Sequence, residues 1–381
     1  MRRSTERILT THVGALPAPG DVWANDEVRP ERLSEAVQAV VRFQRDAGVD
    51  LVNEGELTKG GNWVSFVNAR LTGFEPRQGP GSNLLADSDD WVEFADFYKA
   101  AADGGTLFEQ TRSAPVQTRT LDWDCTGPIA YVGQAALQRE IATLRAALGE
   151  IPVGDAFLTS TAPASLEPGR RNRYYESEEA FVFAIADALS VEYEAIAASG
   201  LMLQVDDAWL AALWDRIGVK MGLEAYKRYC AVRVAALNHA LRNVPAEQVR
   251  YHLCWGSWHG PHAHDIALED ILDVLLSVKA GAYLIEAANV RHEHEYAVWR
   301  TVKLPEGKLL APGVVSHATT LIEHPELVSE RIQRFARLVG RQNVIASTDC
   351  GLGLRCHPQI AWAKLKALSE GAALASKALG Y

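Results

Sequence analysis

The sequence is short of several things, and each shortage removes a class of function. No apolar run approaches the ~18 uninterrupted residues that a membrane-spanning helix requires, and no repeat, low-complexity tract or flexible linker is evident. Positive charge is in deficit: 38 Lys and Arg against 48 Asp and Glu leave a net charge of −10. That balance argues against nucleic acid or an anionic membrane as the main partner. Cysteine is sparse and odd in number: Cys125, Cys230, Cys254, Cys350 and Cys356. Such a set is no disulfide framework, so a reducing compartment is expected, with any special cysteine acting as ligand or nucleophile. The basic start, Met1 to Arg7, is followed by Thr10, Thr11 and His12 rather than by an apolar signal core, so the expected location is the cytoplasm.

Of the 381 residues, 48% are hydrophobic, enough for a large core. The length suits either two domains or one α/β barrel with insertions. Short β-rich runs at 8–13, 49–53, 153–158, 202–205, 251–254, 283–286, 309–315 and 344–347 alternate with helix-length segments. Most of these runs are continuously apolar, as in strands buried on both faces of a parallel sheet. Helical spacing runs through 30–47, 177–199, 223–241, 268–280, 325–338 and 359–379. Ser177 before Glu178 and Glu179 reads as an N-cap. Eight strands alternating with helices predict an α/β fold, a (β/α)8 TIM barrel in one domain over 1–381, with a doubly wound sheet as the alternative. The irregular stretch 57–151, with Gly79-Pro80-Gly81, Gly104-Gly105 and the apolar run 129–132, reads as a long insertion after the second strand.

In a barrel, chemistry gathers where strands end. Read in order, the ends of the apolar runs carry Thr11-His12, Asn53 to Glu56, Asp206-Asp207, His252 to Cys254, Glu286, His317 and Asp349-Cys350. His252 and Cys254 are two apart on one strand and therefore point the same way. With Glu286 and Cys350 from later strand ends they make a set of imidazole, carboxylate and thiolate that suits zinc. The alternative is that Cys254 and Cys350 are small buried hydrophobes.

The segments Tyr251-His-Leu-Cys254-Trp-Gly, Tyr283-Leu-Ile-Glu286-Ala and Ser347-Thr-Asp-Cys350-Gly-Leu-Gly resemble the zinc motifs of the cobalamin-independent methionine synthase family. They occur in the family's order, with Val52-Asn-Glu-Gly-Glu56, Gln204-Val-Asp206-Asp207 and a first-strand motif, Thr10-Thr-His12-Val-Gly-Ala15. The resemblance covers most of this chain but only the catalytic C-terminal barrel of the full-length enzyme, and a single-barrel branch includes epoxyalkane:coenzyme M transferases. It implies Zn2+ held by His252, Cys254, Glu286 and Cys350, binding a substrate thiol as a thiolate for alkylation. It assigns Glu56 and Asp206 to the amino group of homocysteine and His317 to protonation of a leaving group. His12, Asp207 and Asp349 complete the expected substrate shell. Ala15 departs from the family, which carries a serine there that helps hold the amino acid's carboxylate, and the family's Asp-Ile-His-Ser-Pro-Arg type of segment is represented only by Ser316-His317-Ala318.

The expected activity is thus methyl or small-alkyl transfer to a thiol, with homocysteine S-methylation first and epoxide opening by coenzyme M as the alternative. Two readings of other classes are a non-catalytic zinc- or thiol-binding protein and a metal-free acid–base barrel using Glu56, Asp206 and Asp207. Expected partners are a small-molecule thiol and an alkyl donor, without nucleic acid or membrane; homo-oligomerisation is left open. Arg170, Arg171, Arg173 and Arg291 are candidates for an anionic group. Trp209, Trp255 and Trp258 are candidates for an apolar pocket. His259, His262 and His264 read as a pocket-shaping loop or a second metal site.

Overall fold

A computed structural model describes residues 1–19, 23–24, 27–28, 30–59, 64–77, 87–104, 122–353 and 355–381. The backbone builds a curled, seven-stranded parallel sheet. Its strands, in chain order, are β1 (Leu9–Thr10), β2 (Phe157–Thr161), β3 (Met202–Asp207), β4 (Val249–Leu253), β5 (Ala282–Ile285), β6 (Leu309–Val315) and β7 (Ile345–Thr348). Strands β2 to β7 lie side by side in chain order, and β7 pairs with β1. The fold is therefore mixed α/β, with parallel neighbours joined by helices.

The long helices are α1 (Pro30–Asp46), α2 (Gln134–Leu148), α3 (Glu178–Ala198), α4 (Leu223–Ala240), α5 (Leu268–Leu276), α6 (Pro325–Val339) and α7 (Pro358–Ala378), with short ones that include Asp89–Glu93 and Ala95–Asp103. All the long ones but α2, which lies in the stretch read as irregular, begin and end close to where the spacing predicts. In α1, Ala36, Val37, Val40, Val41 and Gln44 form the buried stripe that faces the sheet. Ser177 caps α3 by accepting from the Ala180 amide at 3.0 Å. Helix α5 stops before the predicted Ala280, because Asn238 of α4 captures the chain there. Its amide donates to the Ser277 carbonyl at 2.9 Å and its oxygen accepts from Lys279 N at 2.7 Å.

Strand side chains alternate, and this sorts the core into two shells. Leu9, Leu51, Phe157, Met202, Ala282, Leu284, Leu309, Ala311 and Ile345 form one small buried cluster, separate from the large cluster that carries the helices' apolar faces. The predicted run at 153–158 begins instead as a 3-10 turn, Val153–Asp155, and the strand extends through the threonines to Thr161. The predicted second strand, 49–53, is reduced to one parallel bridge between Val52 and Ala156. It still touches both free edges of the sheet. The amides of Asp50 and Leu51 each donate to Thr10 O at 3.1 Å, and Phe157 N donates to Val52 O at 3.0 Å. The ladder stops at Asn53 because Gln44 of α1 occupies its backbone, accepting from Asn53 N at 3.0 Å and donating to Asn53 O at 2.7 Å.

Within 57–151, a strand at Phe74–Pro76 pairs antiparallel with Trp123–Cys125, which runs parallel to Arg170–Asn172. The predicted glycine turns at 79–81 and Gly105 lie outside the described residues. The predicted apolar run 129–132 is not a strand; only Tyr131 forms a bridge, to Leu71. A buried ion network ties this region to the sheet and α3. Arg70 joins Glu140 and Glu192 (2.8 Å to the latter), and Glu192 also accepts from Tyr131 at 2.6 Å and Ser160 at 2.7 Å. Lys59 completes it at 3.4 Å from Glu54 and 3.6 Å from Glu140. No helix among the described residues is long and apolar enough to cross a membrane.

Removing the central cation of that network leaves buried carboxylates unpaired. Arg70→Met should therefore destabilise the protein by about 3–5 kcal/mol in urea unfolding, well beyond the effect of a surface arginine.

Candidate metal centre

Polar residues replace apolar ones where the strands end. On β4 the two-residue period sets Arg250, His252 and, just beyond the strand, Cys254 in one file; on β3 it aligns Met202, Gln204 and Asp206. Glu286 follows the last residue of β5 and Asp349 follows the last of β7, with Cys350 next.

The structure brings together the four residues that the sequence nominates as metal ligands. One donor atom each from His252, Cys254 and Cys350 lies within 4.8 Å of the others. The two sulfurs are 3.9 Å apart, and Cys254 Sγ is 3.8 Å from Glu286 Oε1. His252 is buried and its Nδ1 is bonded to Asp206 Oδ1 at 3.0 Å, while its Nε2 has no partner. A carboxylate on Nδ1 fixes the tautomer and leaves the Nε2 lone pair free, the usual arrangement behind a metal-ligating histidine. Glu286 is held by Trp255 N at 3.2 Å and Asn289 Nδ2 at 3.0 Å. An imidazole, two sulfurs and a carboxylate form a donor set that fits a divalent ion favouring mixed N, S and O ligands.

The electrostatics reflect crowded anions. Burial pulls the His252 ring down, but its bond to Asp206 and the nearby Cys350 and Glu286 outweigh this and push it up to about 9. The contact with Cys254 pulls Cys350 below the ordinary thiol range, and the same contact pushes Cys254 up, so the pair shares one proton. Burial and then Glu286 push Asp349 well above the usual carboxylate range.

The other nominated residues separate into groups. His317 is buried beside Glu286 and Asp349, with Nδ1 unpartnered. Burial, Arg355 and neighbouring histidines keep its ring neutral, so it offers an N–H rather than a stored charge. Asp349 Oδ1 accepts from Ala287 N at 2.7 Å and Ala288 N at 2.9 Å, which locks the loop carrying Glu286; Oδ2 is unpaired. Glu56 is buried in a left-handed turn (φ 59°) against Gly14, whose missing Cβ makes room for the carboxylate. Burial, then the charge of Asp206, push Glu56 up to about 8. Asp206 also accepts from Gln204 at 2.9 Å.

Two nominated substrate residues are occupied elsewhere. Asp207, one step along β3 and on its other face, accepts from Ser165 at 3.0 Å, Tyr251 at 3.0 Å and Leu210 N at 3.2 Å. His12 is bonded through Nε2 to Gln44 at 2.7 Å, and burial pushes it down to about 3. Asp207 thus points away from Asp206, as successive strand residues do, while the Nδ1 of His12 is buried without a partner.

The remaining candidates also have protein partners. Arg171 grips Asp124 at 2.8 and 3.0 Å, Arg173 lies 3.8 Å from the same carboxylate, and Arg170 holds Asn68 and Leu166 O. Arg291 donates to Ala263 O. Trp255 is core, its Nε1 bonded to Ile266 O at 2.8 Å, whereas Trp258 joins Tyr98 and Ala101 of the 57–151 region. His262 turns to Asp265 at 3.0 Å and His264 to Glu93 at 2.6 Å; the three histidines do not converge on one group, and His264 instead lies with Asp89 and Asp215.

Sequence reading passed over Arg250 and Arg355. Arg250 is fully buried, bonded to Thr11 Oγ1 at 3.0 Å and His12 O at 2.9 Å, and lies over Phe157. The signal was available: it stands two residues before His252 on a strand of period two.

This fold and its sulfur-bearing cluster define the class: a mixed α/β enzyme-type domain with a candidate metal centre at the carboxyl edge of a parallel sheet. Residues 132–373 match the family described as cobalamin-independent synthase, catalytic domain, and the chain belongs to that family. It is 23% identical over 402 residues to a 2-hydroxypropyl-CoM lyase of Xanthobacter autotrophicus, covering 96% of this chain and 94% of the other. A methionine synthase of Saccharolobus islandicus is 22% identical over 377 residues, with 95% and 93% covered. In structure the chain resembles a B12-independent methionine synthase from a Shewanella species, solved in complex with selenomethionine, with a TM-score of 0.71 and 18% identity over 98% of this chain and 99% of that one.

Glu56 retains its proton in the folded state across a range where an unfolded glutamic acid has lost it, so its contribution to stability is present at low pH and is lost as pH rises towards 8. Chemical denaturation between about pH 5 and 8 should show that decline, and Glu56→Gln should flatten it by about 1 kcal/mol or more.

Proposed function

We propose that this chain is a zinc-dependent thiol alkyltransferase that moves a methyl or small alkyl group onto the sulfur of an amino-acid thiol, as in homocysteine S-methylation. One observation carries the reading: the unpaired Nε2 of His252 converges with the sulfurs of Cys254 and Cys350 beside Glu286. These four residues would hold the ion. When bound there, zinc would supply the Lewis acidity that keeps a substrate thiol as a nucleophilic thiolate near neutral pH.

The protein's own groups do the rest. Asp206 keeps the lone pair of His252 on Nε2, and Asn289 with the Trp255 amide fixes the carboxylate of Glu286. Asp349 holds the backbone after Glu286 through two amides, and so positions a ligand rather than touching substrate. Glu56 beside Asp206 suits an ammonium group, whose arrival would return Glu56 to its carboxylate form. Neutral His317 would donate a hydrogen bond from its N–H to the departing group of the alkyl donor, keeping its own proton. His12 and Asp207 support the strand ends.

A second reading, epoxide opening by coenzyme M, draws on the likeness to the 2-hydroxypropyl-CoM lyase over 96% of the chain. Thiol titration of the zinc-loaded protein separates the two: homocysteine binding supports the first, and coenzyme M binding without homocysteine supports the second. Alkyl transfer to no thiol across a panel of methyl and epoxide donors would sink both and leave a binding protein.

With this function we also read the sheet as a closed (β/α)8 barrel in a single domain over 1–381. Segment 50–53 would supply the missing strand between β1 and β2, and 57–151 the excursion over one end. A cytoplasmic location and small-molecule partners follow from a soluble metabolic role; whether copies associate is a matter for sedimentation.

Because the ligands stand at the strand ends rather than in the apolar shell, Cys254→Ser and Cys350→Ser should each drop zinc from about one ion per chain to near zero while leaving far-UV circular dichroism unchanged. Elemental analysis checks the first outcome and also disposes of a metal-free mechanism.

A further inference from the structure

Two turns carry the cysteine pair, and an arginine spans them. Ser257 lies three residues after Cys254, and Arg355 lies five after Cys350. Arg355 Nε donates to Ser257 O at 2.7 Å and to its Oγ at 3.0 Å, and Nη2 reaches the same hydroxyl. The next residue, Cys356, donates through Sγ to His317 O at 3.6 Å, so this turn also abuts the loop after β6. Arg355 therefore sits where the ends of β4, β6 and β7 meet.

Its partners are all neutral. Among the described residues no carboxylate lies within ion-pair distance of its guanidinium, and its Nη1 makes no hydrogen bond, in a chain with 48 Asp and Glu. Several arginines are matched, Arg171 to Asp124, Arg233 to Glu167, and Arg331 and Arg334 to Glu293, whereas Arg170, Arg250 and Arg291 bond neutral groups. The anchor of Arg355, Ser257, lies on the turn after Cys254, and its own turn follows Cys350 and bonds to His317 O through Cys356, which places the guanidinium beside the centre. A half-buried guanidinium whose fork is anchored at one edge and open at the other is built to take an oxyanion.

We propose that Arg355 is the anion-recognition residue of the thiol pocket, its open edge taking the carboxylate or sulfonate carried by the substrate thiol. This inference rests on the reading of the centre as a thiol site, and it deepens that reading by naming a charged tail as the group selected. The tail would then be held by Arg355 while the sulfur lies at the His252, Cys254, Glu286 and Cys350 cluster.

The test is calorimetric titration of zinc-loaded wild type, Arg355→Gln and Arg355→Lys. The probes are 2-mercaptoethanesulfonate, 3-mercaptopropionate, uncharged 2-mercaptoethanol, and ethanesulfonate, which has no thiol. Arg355→Gln should weaken both anionic thiols and ethanesulfonate about tenfold or more and leave 2-mercaptoethanol within about twofold; Arg355→Lys should restore part of the loss. A preference for one anionic thiol identifies carboxylate or sulfonate as the tail. Equal weakening of charged and uncharged thiols would overturn the proposal and make Arg355 a brace for the Ser257 turn, and so would no change in any titration. If wild type binds ethanesulfonate through Arg355 but binds no thiol, the anion site stands and the thiolate reading of the centre falls.

Discussion

The constraint on which the rest of this structure depends is the crowding of acidic groups in a buried space. Two cysteine sulfurs stand 3.9 Å apart, one of them 3.8 Å from Glu286, with Asp349, Asp206 and Glu56 near by. Like charges at such distances in a medium of low polarity repel by several kcal/mol. The fold answers in two ways: protons stay on Glu56, Asp349 and one of the thiols, and cations are brought close. Arg250 stands two residues before His252 on the same strand, and Arg355 on the turn after Cys350. A doubly charged ion within this donor set would relieve the repulsion more completely than any of them.

Holding such a cluster requires backbones to approach closely, and glycine makes this feasible. A Cβ at Gly313 would lie 2.6 Å from Asp349 N, so β6 can pass β7 at that level only without a side chain. A Cβ at Gly351 would come within 2.8 Å of that of Ala15, and one at Gly353 would lie 2.8 Å from the backbone of Leu16. The turn after Cys350 is thereby seated on the end of the first strand segment, with Leu352 N and Gly353 N both donating to Ala15 O at 2.9 Å. The small residue at position 15 is part of this seat.

Much of this was legible in the sequence, for a definite reason. Apolar runs ended abruptly in polar residues, and in a parallel sheet those transitions all fall on one edge, so His252, Cys254, Glu286 and Cys350 could be grouped before any coordinates. What the sequence hid shares a cause as well. Asp207 bonds to Ser165 and Tyr251 on the face opposite Asp206, because successive strand residues face apart. The segment at 50–53 lost its ladder to the side chain of Gln44, a long-range event without a local signature. The arginines at 170–173 looked free because Asp124, Asn68 and the strand they join are distant in sequence. Arg355 was overlooked for the converse reason: nothing local marks a cation whose carboxylate partner is missing.

These positions give the centre two unlike sides. Towards the ends of β2 and β3 lie hydrogen-bond acceptors, Glu56 and Asp206, while towards the ends of β4 and β7 lies the unneutralised guanidinium of Arg355. On the proposed reading, a field running from one side to the other would orient a ligand that carries a cation and an anion at its two ends, and would discriminate against one presenting the charges in reverse. The excursion helps to keep that field strong. Trp258 bonds to Tyr98 at 3.1 Å and stacks on His262, and the helices around Tyr98 sit against the loop that follows Cys254. Covering that loop with aromatic surface lowers the local polarity, so each charge on either side acts over a longer distance than it would in open solvent.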